Sequence, residues 1–242
     1  MTIGGFDACA WWWRTPTGPY ELADLGLLDR QEHARLNRMK SATAAAEFVM
    51  CRATVRRVLA PLLGVEPREV VLGRRPCPGC GDARHGPPTV SHPANFWHIS
   101  MSHSSGIGML AVAERPVGVD VEAVRDTPVD TLSERVLTRL EREHVDDLPE
   151  GIARTLAFLR CWTRKEAVLK GAGIGITTDL TAVETHPSHA GPVAVTTELG
   201  GQRETWSVTR PVVPSGWTAA LALRGTGHPT TTTRRWPDTS TL

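Results

Sequence analysis

Lysine is nearly absent from this chain. Its 27 basic residues include only Lys40, Lys165 and Lys170 as lysines, against 24 arginines. Aromatic rings are sparse too, with one tyrosine and four phenylalanines in 242 residues. Net charge is only +1, so no overall field favours nucleic acid or an anionic membrane. No apolar run reaches the roughly 18 residues a membrane helix needs. The start, MTIGGFDACAWWWRT, lacks a basic segment followed by a long apolar stretch, so it does not read as a signal peptide. Five cysteines are an odd number in a chain large enough to build a core without disulfides. A reduced, cytoplasmic setting is the expectation. What remains is ordinary for a globular protein, with 40% hydrophobic and 22% charged residues.

Periodicity predicts a surface helix over 21–40, from Leu22, Leu25, Leu28 and Leu36 among charges. A second helix follows in AEFVMCRATVRRVLAPLLG, which Pro61 and Gly64 close. Residues 74–95, rich in Pro, Gly, Cys and His, read as a loop. Strands are predicted at FWHISMSH and through GMLAVAERPVGVDVEAV, with Pro116 as a point of interruption, helices over 129–145 and 151–172, and strands again over 192–198, 204–210 and 217–223. Trp11-Trp12-Trp13 reads as edge strand and core, and the Thr/Pro-rich residues 226–242 as a disordered tail. The chain also repeats itself. Phe48-x-x-Cys51 before Val58-Leu59 is matched by Phe158-x-x-Cys161 before Val168-Leu169, an offset of 110. HISMSHSSGIGMLAVA is likewise echoed by ETWSVTRPVVPSGWTAALAL. The expected fold is α+β, two duplicated halves (1–115 and 116–225) related by a pseudo-twofold axis, with a cleft between them.

Three constellations carry chemistry. In Gly118-Val119-Asp120-Val121-Glu122, strand alternation puts both acids on one face. Adjacent carboxylates repel unless a cation lies between them, and hard oxygens suit magnesium. Two solvated acids at a strand end would give the same string. In Trp162-Thr163-Arg164-Lys165-Glu166-Ala167-Val168-Leu169-Lys170, helical spacing puts Trp162, Glu166 and Lys170 on one face. A surface Glu–Lys pair over a core tryptophan is the plainer reading. Two of three lysines beside a third acid favour metal ligands next to donors for a pyrophosphate. Ser102-His103-Ser104, at a strand end, offers hydroxyls, free N–H groups and an imidazole that can cup a phosphate.

Taken together, GVDVE and WTRKEAVLK resemble the two signature motifs of the 4′-phosphopantetheinyl transferase superfamily. HISMSHS is similar to the upstream motif of the long, surfactin-type members. The resemblance covers about residues 20–225. It implies transfer of 4′-phosphopantetheine from coenzyme A to a serine of an acyl, peptidyl or polyketide synthase carrier protein, releasing 3′,5′-ADP. By resemblance, Asp120, Glu122 and Glu166 hold magnesium, and Glu122 or Glu166 takes the serine proton. Lys170 binds phosphates and steadies the leaving group with support from Lys165, while Ser102 and His103 hold the nucleotide's phosphate end. The resemblance also implies a monomer, with neither nucleic acid nor membrane as partner.

Two departures stand out. Gly86-Pro87-Pro88 occupies the place of a Gly-Lys-Pro loop, and Glu47 falls where the first long helix carries a basic residue. Arg52, Arg56 and Arg75, together with Gly86 and Pro88, are therefore the candidate coenzyme A contacts, with Arg35 and Arg38 as substitutes. Cys77-x-x-Cys80 with His85 falls short of the usual four zinc ligands unless His92 or His98 completes the set. It reads as a loop over the nucleotide. The competing classes are a degenerate module that binds coenzyme A or a carrier without transfer, and a magnesium-dependent phosphohydrolase.

Overall fold

The structure, a computed structural model, describes residues 3–15, 18–82, 85–174, 179–199 and 202–237. Two four-stranded sheets form its centre. The first has the order β10-β1-β5-β4, from β1 (Ala8–Arg14), β4 (His98–Ser104), β5 (Ile107–Ala113) and β10 (Thr231–Arg235). The second has the order β6-β9-β8-β7, from β6 (Val117–Ala123), β7 (Val193–Leu199), β8 (Gln202–Thr209) and β9 (Trp217–Arg224). The runs β1-β5-β4 and β6-β9-β8 have the same connectivity. The fold is α+β, and its topology repeats.

The sheets pack face to face through Ala8, Ala10, Ile107 and Met109 from one and Val119, Val121 and Leu221 from the other. Their outer faces are each covered by a long helix, α3 (Ala42–Leu63) on the first and α6 (Ile152–Ala172) on the second. This layering explains why β5 reads IGMLAVA without alternation: all of its residues are buried, because both faces are covered. Ser41 caps α3 by accepting from the Ala44 N–H. Gly64 and Gly173 end α3 and α6 in the left-handed conformation that glycine adopts without strain.

Four expectations need correction. The helix over 21–40 is two short ones, α1 (Leu22–Leu25) and α2 (Arg30–Leu36), because Asp29 makes a capping box with Glu32 and starts a new helix. The helix over 129–145 is likewise split by the Thr138–Glu141 capping box into α4 (Val129–Val136) and α5 (Arg139–Asp146). The loop over 74–95 contains a strand, β3 (Pro88–His92), which pairs with β2 (Val71–Arg74) as a hairpin. The tail expected to be disordered contributes β10, whose β-branched threonines run parallel to β1. Residues 238–242 lie outside the described residues. β10 also removes β1 from the sheet edge: Trp11 and Trp13 are buried on the face toward α3.

Candidate active site

The strand edges β4 and β6 meet where the two sheets join, and three serines stitch them. Ser100, Ser102 and Ser104 accept from the N–H groups of Val119, Val121 and Ala123 at 3.1, 3.3 and 3.2 Å. These N–H groups point away from β9 and would otherwise lack a partner. The same hydroxyls then donate to the acids, Ser102 to Asp120 Oδ1 and Ser104 to Glu122 Oε2, both at 2.8 Å.

The helix α6 crosses close over this strand. A Cβ at Gly118 would stand 1.8 Å from the Ala167 carbonyl oxygen, so only glycine permits the approach. Alternation then points Asp120 and Glu122, like Gly118, toward α6, where Glu166 and Lys170 wait one turn apart. Lys170 Nζ donates to Asp120 Oδ1 at 2.5 Å and to Ser102 Oγ at 3.0 Å.

Asp120 and Glu166 are both buried, at 2% and 7% exposure. Asp120 Oδ2 and Glu166 Oε1 find no hydrogen-bond partner among the described residues. Burial, then repulsion from Asp120, pushes the Glu166 carboxyl up to about 7 against the pull of Lys170. Burial also raises Asp120, although Lys170 and Ser102 hold it down. Unpaired, mutually repelling carboxylate oxygens fit a hard divalent cation, which would supply the missing charge. The three acids do not converge within 4.8 Å of one another; the described trio that does is Cys77, Cys80 and His85.

A cleft of about 390 Å³ opens beside these acids. Glu166, Lys170 and Gly173 line it from one half, and Ser102, His103, Arg52, Arg74, Gly86 and Pro88 from the other. Arg35 and Arg52 flank the Phe48 ring, at 5.0 and 5.5 Å from its centroid, in the same cleft. His103 is held below its ordinary pKa by burial, opposed by Glu47 and assisted by Lys170. Glu47 accepts from the Gly106 N–H at 2.8 Å and lies 4.0 Å from His103 Nδ1. It therefore braces the β4–β5 turn that presents His103.

Three expected contacts lie elsewhere. Lys165 is wholly buried, bonded to Glu141 at 2.6 Å and to the Val136 and Leu180 carbonyls. Five residues along a helix turn the side chain by about 140°, so Lys165 and Lys170 cannot share a face. Arg56 is buried against Glu32 at 2.8 Å and the Val70 carbonyl, tying α3 to α2. Arg75 meets His98 Nδ1 at 3.3 Å and lines a separate 280 Å³ pocket. The residue overlooked is Arg74, which faces the cleft and donates to the Gly86 carbonyl at 2.8 Å. Trp162 stacks on Phe158 within a core cluster that includes α4 and α5 residues.

Residues 116–222 match the family model described as the 4′-phosphopantetheinyl transferase superfamily. The chain is 31% identical over 224 residues to the 4′-phosphopantetheinyl transferase HetI of Nostoc sp., covering 89% of this chain and 87% of the relative. It is 33% identical over 109 residues to the 4′-phosphopantetheinyl transferase psf-1 of Bacillus pumilus, 44% of this chain and 45% of that one. A 4′-phosphopantetheinyl transferase of Bacillus subtilis is 23% identical over 145 residues, 58% of each chain.

Proposed function

Because this chain belongs to the 4′-phosphopantetheinyl transferase superfamily, we propose that it acts as a surfactin-type, magnesium-dependent enzyme that modifies a serine of an acyl, peptidyl or polyketide synthase carrier protein. The observation that carries this reading is the pair of unpartnered, buried carboxylate oxygens on Asp120 and Glu166 beside a cleft rich in cationic side chains. Asp120, Glu122 and Glu166 would hold magnesium, whose charge offsets that of the coenzyme A pyrophosphate.

Coenzyme A lies in the cleft with its nucleotide toward Phe48 and its 3′-phosphate among Arg35, Arg52 and Arg74. The serine Oγ of the carrier attacks the pantetheine-side phosphorus. The bond from that phosphorus to the oxygen of the 3′,5′-ADP leaving group breaks, and Glu122 or Glu166 accepts the serine proton. Lys170, between Asp120 and Ser102, neutralises charge on the departing phosphate. Positioning and charge neutralisation supply most of the rate in phosphoryl transfer.

The test is an incubation with coenzyme A, magnesium and an apo carrier protein, followed by intact-mass measurement of the carrier. A gain of one phosphopantetheine is expected. Failure with acyl, peptidyl and polyketide carriers alike, together with retained coenzyme A binding, favours a module that binds without transfer. Release of phosphate to water without a carrier favours a hydrolase.

A further inference from the structure

The connection between β2 and β3, described over residues 75–82 and 85–87, brings His85, Gly86 and Pro87 to the wall of the cleft. Its base is closed by the Arg75 N–H on the Pro87 carbonyl at 2.9 Å. It leans on the end of α6: a Cβ at Gly173 would stand 2.7 Å from the Pro87 ring. Within the loop lies Cys77-Pro78-Gly79-Cys80-Gly81, a turn closed by the Gly81 N–H on the Cys77 carbonyl at 2.8 Å. Gly81 is left-handed, with φ of +77°.

His85 closes the group. Its Nε2 lies 3.1 Å from Cys80 Sγ, and one ligand atom from each of Cys77, Cys80 and His85 falls within 4.8 Å of the others. Tetrahedral zinc, with Zn–S near 2.3 Å and Zn–N near 2.0 Å, requires ligand atoms roughly 3.5–3.8 Å apart, a value inside the observed range. Both cysteines are free thiols, so no disulfide competes in this arrangement. His98, a candidate for a fourth ligand, is instead turned to Arg75. Two soft sulfurs and an imidazole select zinc over the hard cation suited to the carboxylates.

We propose that Cys77, Cys80 and His85 form a zinc site with one open coordination position, and that the ion fixes the loop whose Gly86-Pro88 segment walls the cleft. Binding releases the two thiol protons and leaves a neutral centre of Zn²⁺, two thiolates and one imidazole. A water fills the open position. The ion pins the tip of the loop, the closed base transmits that constraint to Pro87 and Gly86, and the nucleotide end of the cleft is held in shape. The metal assignment is independent of the transferase reading; only its effect on coenzyme A rests on it.

The full chain, produced in zinc-supplemented medium and desalted, is to be assayed for metal by mass spectrometry. One zinc per chain is expected, falling below about a tenth in Cys80→Ser and His85→Ala, with His85→Cys restoring it. Cobalt exchanged into the protein should give the visible and near-ultraviolet bands of tetrahedral thiolate coordination, absent in Cys80→Ser. Sub-stoichiometric metal in the parent, equal metal in Cys80→Ser, or recovery of Cys77 and Cys80 as a disulfide would each overturn the site. For the coupling, Cys80→Ser should raise the KM for coenzyme A about tenfold with a smaller change in kcat. An unchanged KM after zinc loss would overturn that half, whereas a parent protein inactive on every carrier would sink the transferase reading and leave the zinc count standing.

Discussion

The two halves place different chemistry on one scaffold. In the N-terminal half, β1 turns Trp11 and Trp13 toward α3; at the equivalent register in the C-terminal half, β6 turns Asp120 and Glu122 toward α6. Trp11 pairs with Leu110 and Asp120 with Ala220, while Trp13 pairs with Gly108 and Glu122 with Thr218. The repeat offset that superposes Phe48 on Phe158 also carries Ala60 onto Lys170. One half fills the space between strand and helix with indole rings. The other fills it with acids, and one buried oxygen each of Asp120 and Glu166 lacks a partner among the described residues. The first arrangement favours stability, and the second gives up stability for a charged site.

The largest expected effect on this contrast is chemical. Asp120→Ala and Glu166→Gln should each reduce transfer by about a thousandfold or more, measured as carrier mass gain per unit time, with unchanged circular dichroism. Glu166→Gln should also stabilise the metal-free protein at pH 8. The folded pKa of Glu166 is raised from 4.5 to about 7, so its stabilising contribution is full below pH 4.5 and is lost as pH rises through 7. Removing the charge should recover of order 1–3 kcal/mol, visible as a higher Tm at pH 8 that converges with the parent near pH 4.5.

Next in size is the converse exchange in the N-terminal half. Trp11→Asp places an unpaired carboxylate in an apolar interior and should cost more than about 4 kcal/mol in a denaturant melt. The two lysines of α6 give the third comparison. Lys165→Met strands the buried Glu141 charge and should cost about 3–5 kcal/mol, read by chemical denaturation. Lys170→Met removes a side chain that is 29% exposed; it should lower kcat about a hundredfold with a smaller loss of stability. Smallest are the cleft arginines. Arg52→Ala and Arg74→Ala should each raise the KM for coenzyme A about tenfold, at one lost charge-assisted contact apiece, and leave the KM for 3′-dephospho-coenzyme A nearly unchanged.

How far the sequence exposes all this depends on the distance over which each signal acts. GVDVE was legible because strand alternation acts within a few residues, although what forces its glycine, the approach of Ala167 on α6, lies far along the chain. Glu166 and Lys170 were legible through helical spacing. Lys165 was misplaced because its partner Glu141 comes from another helix, and a lysine string does not say which acid it will find. Arg56 failed likewise, its partner Glu32 lying on α2. Arg75 was named and its neighbour Arg74 was not, and adjacent residues at a strand end present opposite faces. The strand β10 escaped notice because it borrows its order from β1, more than two hundred residues away.

The account's central claim, that Asp120, Glu122 and Glu166 together hold one divalent cation, is tested most directly by titrating the protein with manganese in the presence of coenzyme A and following free Mn²⁺ by electron paramagnetic resonance. One site per chain is predicted, lost in Asp120→Asn and in Glu166→Gln and retained in Cys80→Ser. Undiminished manganese binding in both carboxylate variants would contradict it.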